Sequence, residues 1–270
     1  MNAAIRINQL TCAYPQTPVL RGLTFQVDRG ELFIIIGPNG SGKTTLIKAL
    51  AGLLPISSGE IFLKERPLKR YRQKDLARNV AYVAQADIAD SPFTVLEMVL
   101  MGRAPYLGML GLDSGADLEI ARQAIAFTGL SHLAGRRLSS LSGGERQRAF
   151  IARAICQHPE LILLDEPTAA LDLSHQIRIM DLMERMKKTQ GTSVVMVSHD
   201  INLAAMYADR LLLLVDGRMA ACGPPSQVID ERILSQAYDC GLLVDKSPAG
   251  PWLRVNLMRH DRQQNAETRD

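Results

Sequence analysis

Apolar residues fall along this chain in two rhythms. Some come as short unbroken runs: Leu32-Phe-Ile-Ile-Ile36, Leu161-Ile-Leu-Leu164, Val194-Val-Met-Val197 and Leu211-Leu-Leu-Leu-Val215. A run of that length without a polar face predicts a strand buried on both sides. Between the runs the periodicity becomes helical, over about 43 to 53, 142 to 156 and 175 to 189. Strands alternating with helices predict an α/β fold, a largely parallel sheet covered on both faces. Gly59 to Leu63 and Asn79 to Gln85 read as short strands, and Arg210 to Val215 with Arg218 to Cys222 as a hairpin around Asp216-Gly217. Residues 5 to 10 and 19 to 28 alternate apolar and polar positions, predicting two strands joined by a turn-rich connector, Thr11 to Pro18. From about 92 to 140 helical patterning takes over, capped at Thr94 and resumed at Asp117 to Phe127, which predicts an inserted helical subdomain. Its connector, Arg103 to Leu112, carries apolar residues that are hard to bury in so small a unit, and it reads as a docking surface.

The ends of the apolar runs carry the chemistry. Leu32 to Ile36 leads into Gly37-Pro38-Asn39-Gly40-Ser41-Gly42-Lys43-Thr44-Thr45, a Gly-x-x-x-x-Gly-Lys-Thr P-loop in a strand-turn-helix context. Glycines let successive amides point at phosphate oxygens, and the following helix adds the positive end of its dipole. Lys43 is expected on the β- and γ-phosphates and Thr44 on a magnesium ion. The run Leu161 to Leu164 ends in Asp165-Glu166. Unpaired buried carboxylates are costly, so a metal and a water are their economical partners: Asp165 for magnesium, Glu166 for the water attacking the γ-phosphate. His199 leaves the neighbouring strand on the same edge and is expected near the γ-phosphate or Glu166, while Gln85, ending another strand, could touch the metal or the water. Tyr14, upstream of the P-loop, could stack on adenine. His132, His158, His175 and His260 have no such placement and read as structural or solvated.

Leu141-Ser142-Gly143-Gly144-Glu145 opens a second helix with glycines, hence a second phosphate-binding turn. One ATP has a single γ-phosphate. A turn lying away from its own P-loop would close over ATP on another copy, which predicts a head-to-tail dimer with ATP at the interface.

Composition narrows the classes. The net charge of +3 on 270 residues, with bases scattered among acids, indicates no nucleic-acid partner. The four cysteines are far apart and suggest neither a zinc site nor a disulfide framework; reduced thiols fit a cytoplasmic setting. No apolar run approaches the roughly 20 residues that span a bilayer, and no secretory signal is visible.

Tyr14, the P-loop, Gln85, Leu141 to Glu145, Leu163-Leu-Asp-Glu-Pro-Thr168, Asp172 and His199 together resemble the ATP-binding cassette (ABC) ATPases, over about residues 5 to 230. The resemblance implies a P-loop NTPase (RecA-like) core with an antiparallel β subdomain and an inserted α-helical subdomain. One ATPase domain would span 1–240, its helical part about 86–140, with a short extension over 241–258 and a disordered tail over 259–270. It also implies ATP and Mg2+ as ligands, the dimer already suggested, and roles for Tyr14 on adenine, Gln85 as the Q-loop, Glu166 as catalytic glutamate, Asp172 as the D-loop and His199 as the switch histidine.

Thr94 to Gly108 and Leu171-Asp-Leu-Ser-His175-Gln176 are similar to the importers for iron-siderophore, haem and vitamin B12, whose ATPase is a separate subunit. That implies integral membrane permease subunits, an extracytoplasmic substrate-binding protein behind them, and a peripheral place on the cytoplasmic face of the inner membrane. Ala84 stands where many relatives have proline, and the extension beyond residue 230 is too short for the regulatory domain of sugar-importer ATPases. Cargo is not readable from the chain: iron-siderophore, haem, cobalamin and an oxyanion such as molybdate all stay open, and a soluble ABC ATPase acting on ribosomes or DNA is the runner-up.

Overall fold

The computed structural model describes residues 3–14, 17–85, 91–108 and 112–258, with Tyr14 described in its backbone only. Strands β1 (Ala3–Tyr14) and β2 (Thr17–Asp28) precede β3 (Leu32–Ile36), which feeds α1 (Lys43–Leu50). β4 (Ser58–Leu63) and β5 (Arg66–Pro67) complete an antiparallel sheet in the order β2-β1-β4-β5. Then come α2 (Gln73–Asn79), β6 (Val80–Val83), α3 (Val95–Leu100), α4 (Gly115–Phe127), α5 (Gly143–Cys156) and β7 (Leu161–Asp165). α6 (Leu173–Gln190), β8 (Ser193–Val197), α7 (Ile201–Tyr207), β9 (Arg210–Val215) and β10 (Arg218–Gly223) follow; α8 (Pro225–Val228), α9 (Glu231–Tyr238) and the β11–β12 hairpin (Leu242–Lys246, Leu253–Leu257) come after them.

The main sheet runs β10-β9-β3-β8-β7-β6, parallel throughout except for β10. Every residue of β3, β7 and β8 is buried, as unbroken apolar runs require. The strand period divides β3 between two cores. Leu32, Ile34 and Ile36 face the helical side with α5, α6 and α7, whereas Phe33 and Ile35 face α1 and the antiparallel sheet. Phe33 stacks on Phe25 of β2, ring centroids 5.5 Å apart, so one cover of the parallel sheet is itself partly β.

Two expectations need correction. The connector Thr11 to Pro18 is mostly strand: β1 runs to Tyr14 and β2 starts at Thr17, and register shifts around Cys12 break the alternation on which the strand pattern depends. In the supposed docking loop Arg103 turns inward, while Ala104 stays exposed and Pro105, Tyr106 and Leu107 are half-buried. Arg103 is only 7% exposed; its Nε donates to Asp117 Oδ1 (2.9 Å), its Nη1 to the Cys156 carbonyl (2.9 Å), and it stacks on the Tyr106 ring. Gly102 allows this approach, since a Cβ there would lie 2.3 Å from the Arg153 carbonyl of α5. The rest of that loop includes residues 109–111, and the helical span begins at 86–90; both stretches, like the expected disordered tail 259–270, lie outside the described residues.

Thr94, as expected, caps α3 with a capping box to Glu97, and Asp216 and Gly217 turn the β9–β10 hairpin at φ 47° and 73°. The extension over 241–258 is the β11–β12 hairpin, pinned to α7 by Asn202, whose amide exchanges hydrogen bonds with the Val255 backbone.

Candidate active site

The P-loop hangs between β3 and α1 at the carboxyl edge of the parallel sheet, where open α/β sheets bind ligands. Gly37, at φ 147°, passes so close to β9 that a Cβ would sit 2.1 Å from the Leu214 carbonyl. Gly42 caps α1 in the left-handed region, with no side chain bonding the free amides. Lys43 is 5% exposed, and its Nζ folds back on the Gly37 and Pro38 carbonyls (2.8 Å each). Burial pushes its ammonium below the ordinary lysine range, against the pull of Glu166 and Asp165.

β7 lies beside β8 and β6, so the predicted carboxylates, His199 and Gln85 emerge together. Thr44 Oγ1 donates to Asp165 Oδ1 (3.2 Å) and Tyr82 Oη to Oδ2 (3.3 Å). Burial raises the Asp165 pKa in spite of both bonds. Glu166, at φ 50°, is gripped on both oxygens: His199 Nε2 meets Oε1 at 2.5 Å and Gln85 Nε2 donates to Oε2 at 3.1 Å. Each carboxylate oxygen retains a lone pair for a further partner. The structure thus assembles Lys43, Thr44, Gln85, Asp165, Glu166 and His199 into one cluster. The Tyr14 backbone pairs with Thr17 at the end of β1, while its side chain lies outside the described part.

Ser142, Gly143 and Gly144 form a separate group. Ser142 caps α5 through a capping box with Glu145, giving Oγ–H to Glu145 Oε2 (2.9 Å) and accepting the Glu145 amide (3.3 Å). No hydrogen bond among the described residues ties this turn to the P-loop. Leu171 lies against Gly143 and His175 against Gly144, and His175 in turn bonds Asp172. Asp172 caps α6 and is held near pKa 2, first by the His175 amide and then by the His175 ring and the Ser174 hydroxyl.

Sequence reasoning missed two side chains here. Tyr82 reaches Asp165 only because β6 pairs with β7 in register, and no local pattern carries that. His175, read as structural or solvated, lies against the Ser-Gly-Gly turn.

Residues 20–169 match the family described as ABC transporter, more than half of the chain and the span that holds the P-loop, the Ser-Gly-Gly turn and the Asp165-Glu166 pair. The chain belongs to the ABC transporter family. It is an ATP-binding subunit of that family and an ATPase. Among its relatives are the petrobactin import ATP-binding protein FpuD of Bacillus anthracis, 38% identical over 91% of this chain and 90% of that one. The hemin import ATP-binding protein HmuV of Streptomyces coelicolor is 45% identical over 82% and 78%, and the ferric enterobactin transport ATP-binding protein FepC of Escherichia coli 35% over 95% of both. Among solved structures, a chain of a transporter described as metal-chelate type, caught facing inward, superposes with a TM-score of 0.86 at 28% identity, over 97% of this chain and all of that one. A dimeric ATP-binding cassette bound to ADP and Pi gives 0.71 at 27% identity, over 82% and 98%.

The ABC ATPase site fits a polyphosphate. Among the described residues, Ser41 Oγ is buried within the loop without a hydrogen-bond partner, Lys43 is satisfied only by loop carbonyls, and a Cβ at Gly40 would meet open space. Thr44 Oγ1 and Asp165 Oδ1 are hard oxygen donors side by side, the type that magnesium takes. Among the described residues no helix is long and apolar enough to cross a membrane.

Proposed function

We propose that this ATPase powers uptake of a metal chelate, an iron-siderophore, haem or cobalamin, through a membrane permease. The observation that carries the reading is the set of import relatives named for petrobactin, hemin and ferric enterobactin, matched over most of both chains. Two copies act head to tail, peripheral to the cytoplasmic face of the membrane, with a substrate-binding protein delivering cargo from outside.

In this reading Lys43 exchanges the Gly37 and Pro38 carbonyls for phosphate oxygens, joined by Ser41 and the loop amides, and Tyr14 stacks on the base. Thr44, Asp165 and Gln85 would hold Mg2+. When bound, the ion neutralises charge on the phosphates. Glu166, fixed by His199 and Gln85, orients the water and accepts its proton. Ser142, Gly143 and Gly144 of the second copy close over the γ-phosphate, and Asp172 reaches across the same interface. Hydrolysis removes the group that both copies hold, which returns the pair to the open state.

The test is purification of this chain from gently solubilised native membranes, followed by identification of what accompanies it. A many-helix permease whose binding protein yields an extractable iron or cobalt chelate is the expected result. A different extracted ligand overturns the cargo, and a ribosomal or nucleic-acid assembly overturns the transport reading.

A further inference from the structure

His175 makes two contacts that meet at one ring. Its Nδ1 lies 2.8 Å from Asp172 Oδ1. The Asp172 carboxylate, held near pKa 2, can only accept, so Nδ1 carries the proton. The other side of the ring rests on Gly144: a Cβ there would lie 1.9 Å from His175 Cδ2 and 2.7 Å from Nε2. Gly144 has an ordinary φ, so it is the imidazole, not backbone strain, that excludes a side chain at this point of the turn.

The surrounding contacts point the same way. Asp172 Oδ1 also takes the His175 amide (2.8 Å) and the Ser174 hydroxyl (3.0 Å), which gathers all three of these donors on one oxygen of a side chain that is 66% exposed. Gln176, next in line, donates to the Leu171 carbonyl (3.2 Å), and Leu171 packs on Gly143. Two consecutive side chains of α6 therefore tie the loop before it to the start of α5.

We propose that His175 is a positioning residue that locks Asp172 and the Ser142-Gly143-Gly144 turn into one rigid face, the face each copy presents to its partner's ATP. This rests on the reading that the turn and Asp172 act across a dimer. His175 acts through Asp172 and Gly144, the groups it contacts. It sets the angle at which Asp172 Oδ2 and the amides of α5 arrive together, and errors of about 1 Å in such positioning cost up to about 100-fold in rate.

The experiment uses the full chain and four variants: His175→Ala, His175→Asn, Asp172→Ala, and the double variant His175→Ala with Asp172→Ala. Phosphate release is measured at saturating MgATP, and binding of a fluorescent ATP analogue at protein concentrations too low for dimerisation. ATP-dependent dimerisation is followed in a Glu166→Gln background. His175→Ala should lower kcat by about 10- to 100-fold and weaken the dimer, with monomer affinity for the analogue unchanged. His175→Asn, whose amide can replace Nδ1 as donor to Asp172, should recover part of the loss. The double variant should be no worse than Asp172→Ala alone. Unchanged kcat in His175→Ala overturns the proposal. So does a loss in which analogue affinity and melting temperature fall in step and His175→Asn rescues nothing. If Glu166→Gln itself fails to dimerise with ATP, the dimer reading falls and this proposal with it; a normal Glu166→Gln dimer indifferent to His175 sinks the proposal alone.

Discussion

Two helix starts in this molecule share a chemistry and are finished in opposite ways. Both the P-loop and the Ser142 turn open a helix with glycines and so aim free amides outward. At α1 the cap is Gly42, left-handed and without a side-chain bond, and the first helical residue is a buried lysine held, among the described residues, by loop carbonyls. At α5 the cap is Ser142, with the hydroxyl and amide both engaged by Glu145; Ser142 and Gly143 are exposed and Gly144 lies buried under His175. The first start lacks something that a phosphate supplies. The second is complete on its own, which suits the proposed role of a surface that holds its shape before a second copy arrives.

Breaking each start separately should give different losses. Lys43→Ala should produce the largest: at least about 30-fold weaker nucleotide binding by the isolated chain, the equivalent of about 2 kcal/mol for a buried charged contact. Ser142→Ala should leave that affinity within about twofold and instead cut turnover by about tenfold or more, the cost of losing a phosphate donor, along with about 1 kcal/mol of stability from the lost cap. Titration of a fluorescent ATP analogue, phosphate release and thermal unfolding separate the two patterns. Equal loss of monomer affinity in both variants would mean that the two turns serve one nucleotide in one copy.

The same contrast sets how much was legible in the chain. The P-loop, Asp165-Glu166 and His199 are read directly because each is local: an apolar run, then the chemistry at its end. Gln85 is placed by the same rule, two residues beyond β6. What the sequence hides depends on neighbours distant along the chain. Tyr82 meets Asp165 through strand pairing, His175 meets Gly144 through the packing of α6 on α5, and Arg103 turns inward to Asp117 and the Cys156 carbonyl. Helix α2 shows no buried residue and no capping side chain, so no apolar rhythm announces it.

Smaller effects should sharpen the comparison through stability. Asp165→Asn removes a carboxylate whose ionisation burial opposes. At neutral pH and without nucleotide it should stabilise the chain by about 0.5–2 kcal/mol while abolishing turnover, the usual exchange at a site built for a ligand. Thermal unfolding checks the first effect and phosphate release the second; a destabilised Asp165→Asn would mean that the P-loop is already satisfied without phosphate or metal.

Glu145→Gln should act with the opposite sign and a smaller size. The Ser142 amide and then its hydroxyl hold the Glu145 carboxyl below the usual glutamate value of 4.5. A lowered folded-state pKa means that the ionised form contributes stability above pH 4.5, and that this contribution is lost as pH falls through the folded value. The side chain is solvent-facing, so the contribution is only a few tenths of a kcal/mol. Glutamine keeps a carbonyl acceptor for the Ser142 donors and removes only the charge, so the variant isolates this term. Thermal unfolding should place wild type slightly above Glu145→Gln at pH 7, with the two curves converging as pH falls below 4.5. Curves that stay parallel across that range would mean that the carboxylate charge does not hold this turn together, and that the α5 start, like the α1 start, waits for a ligand.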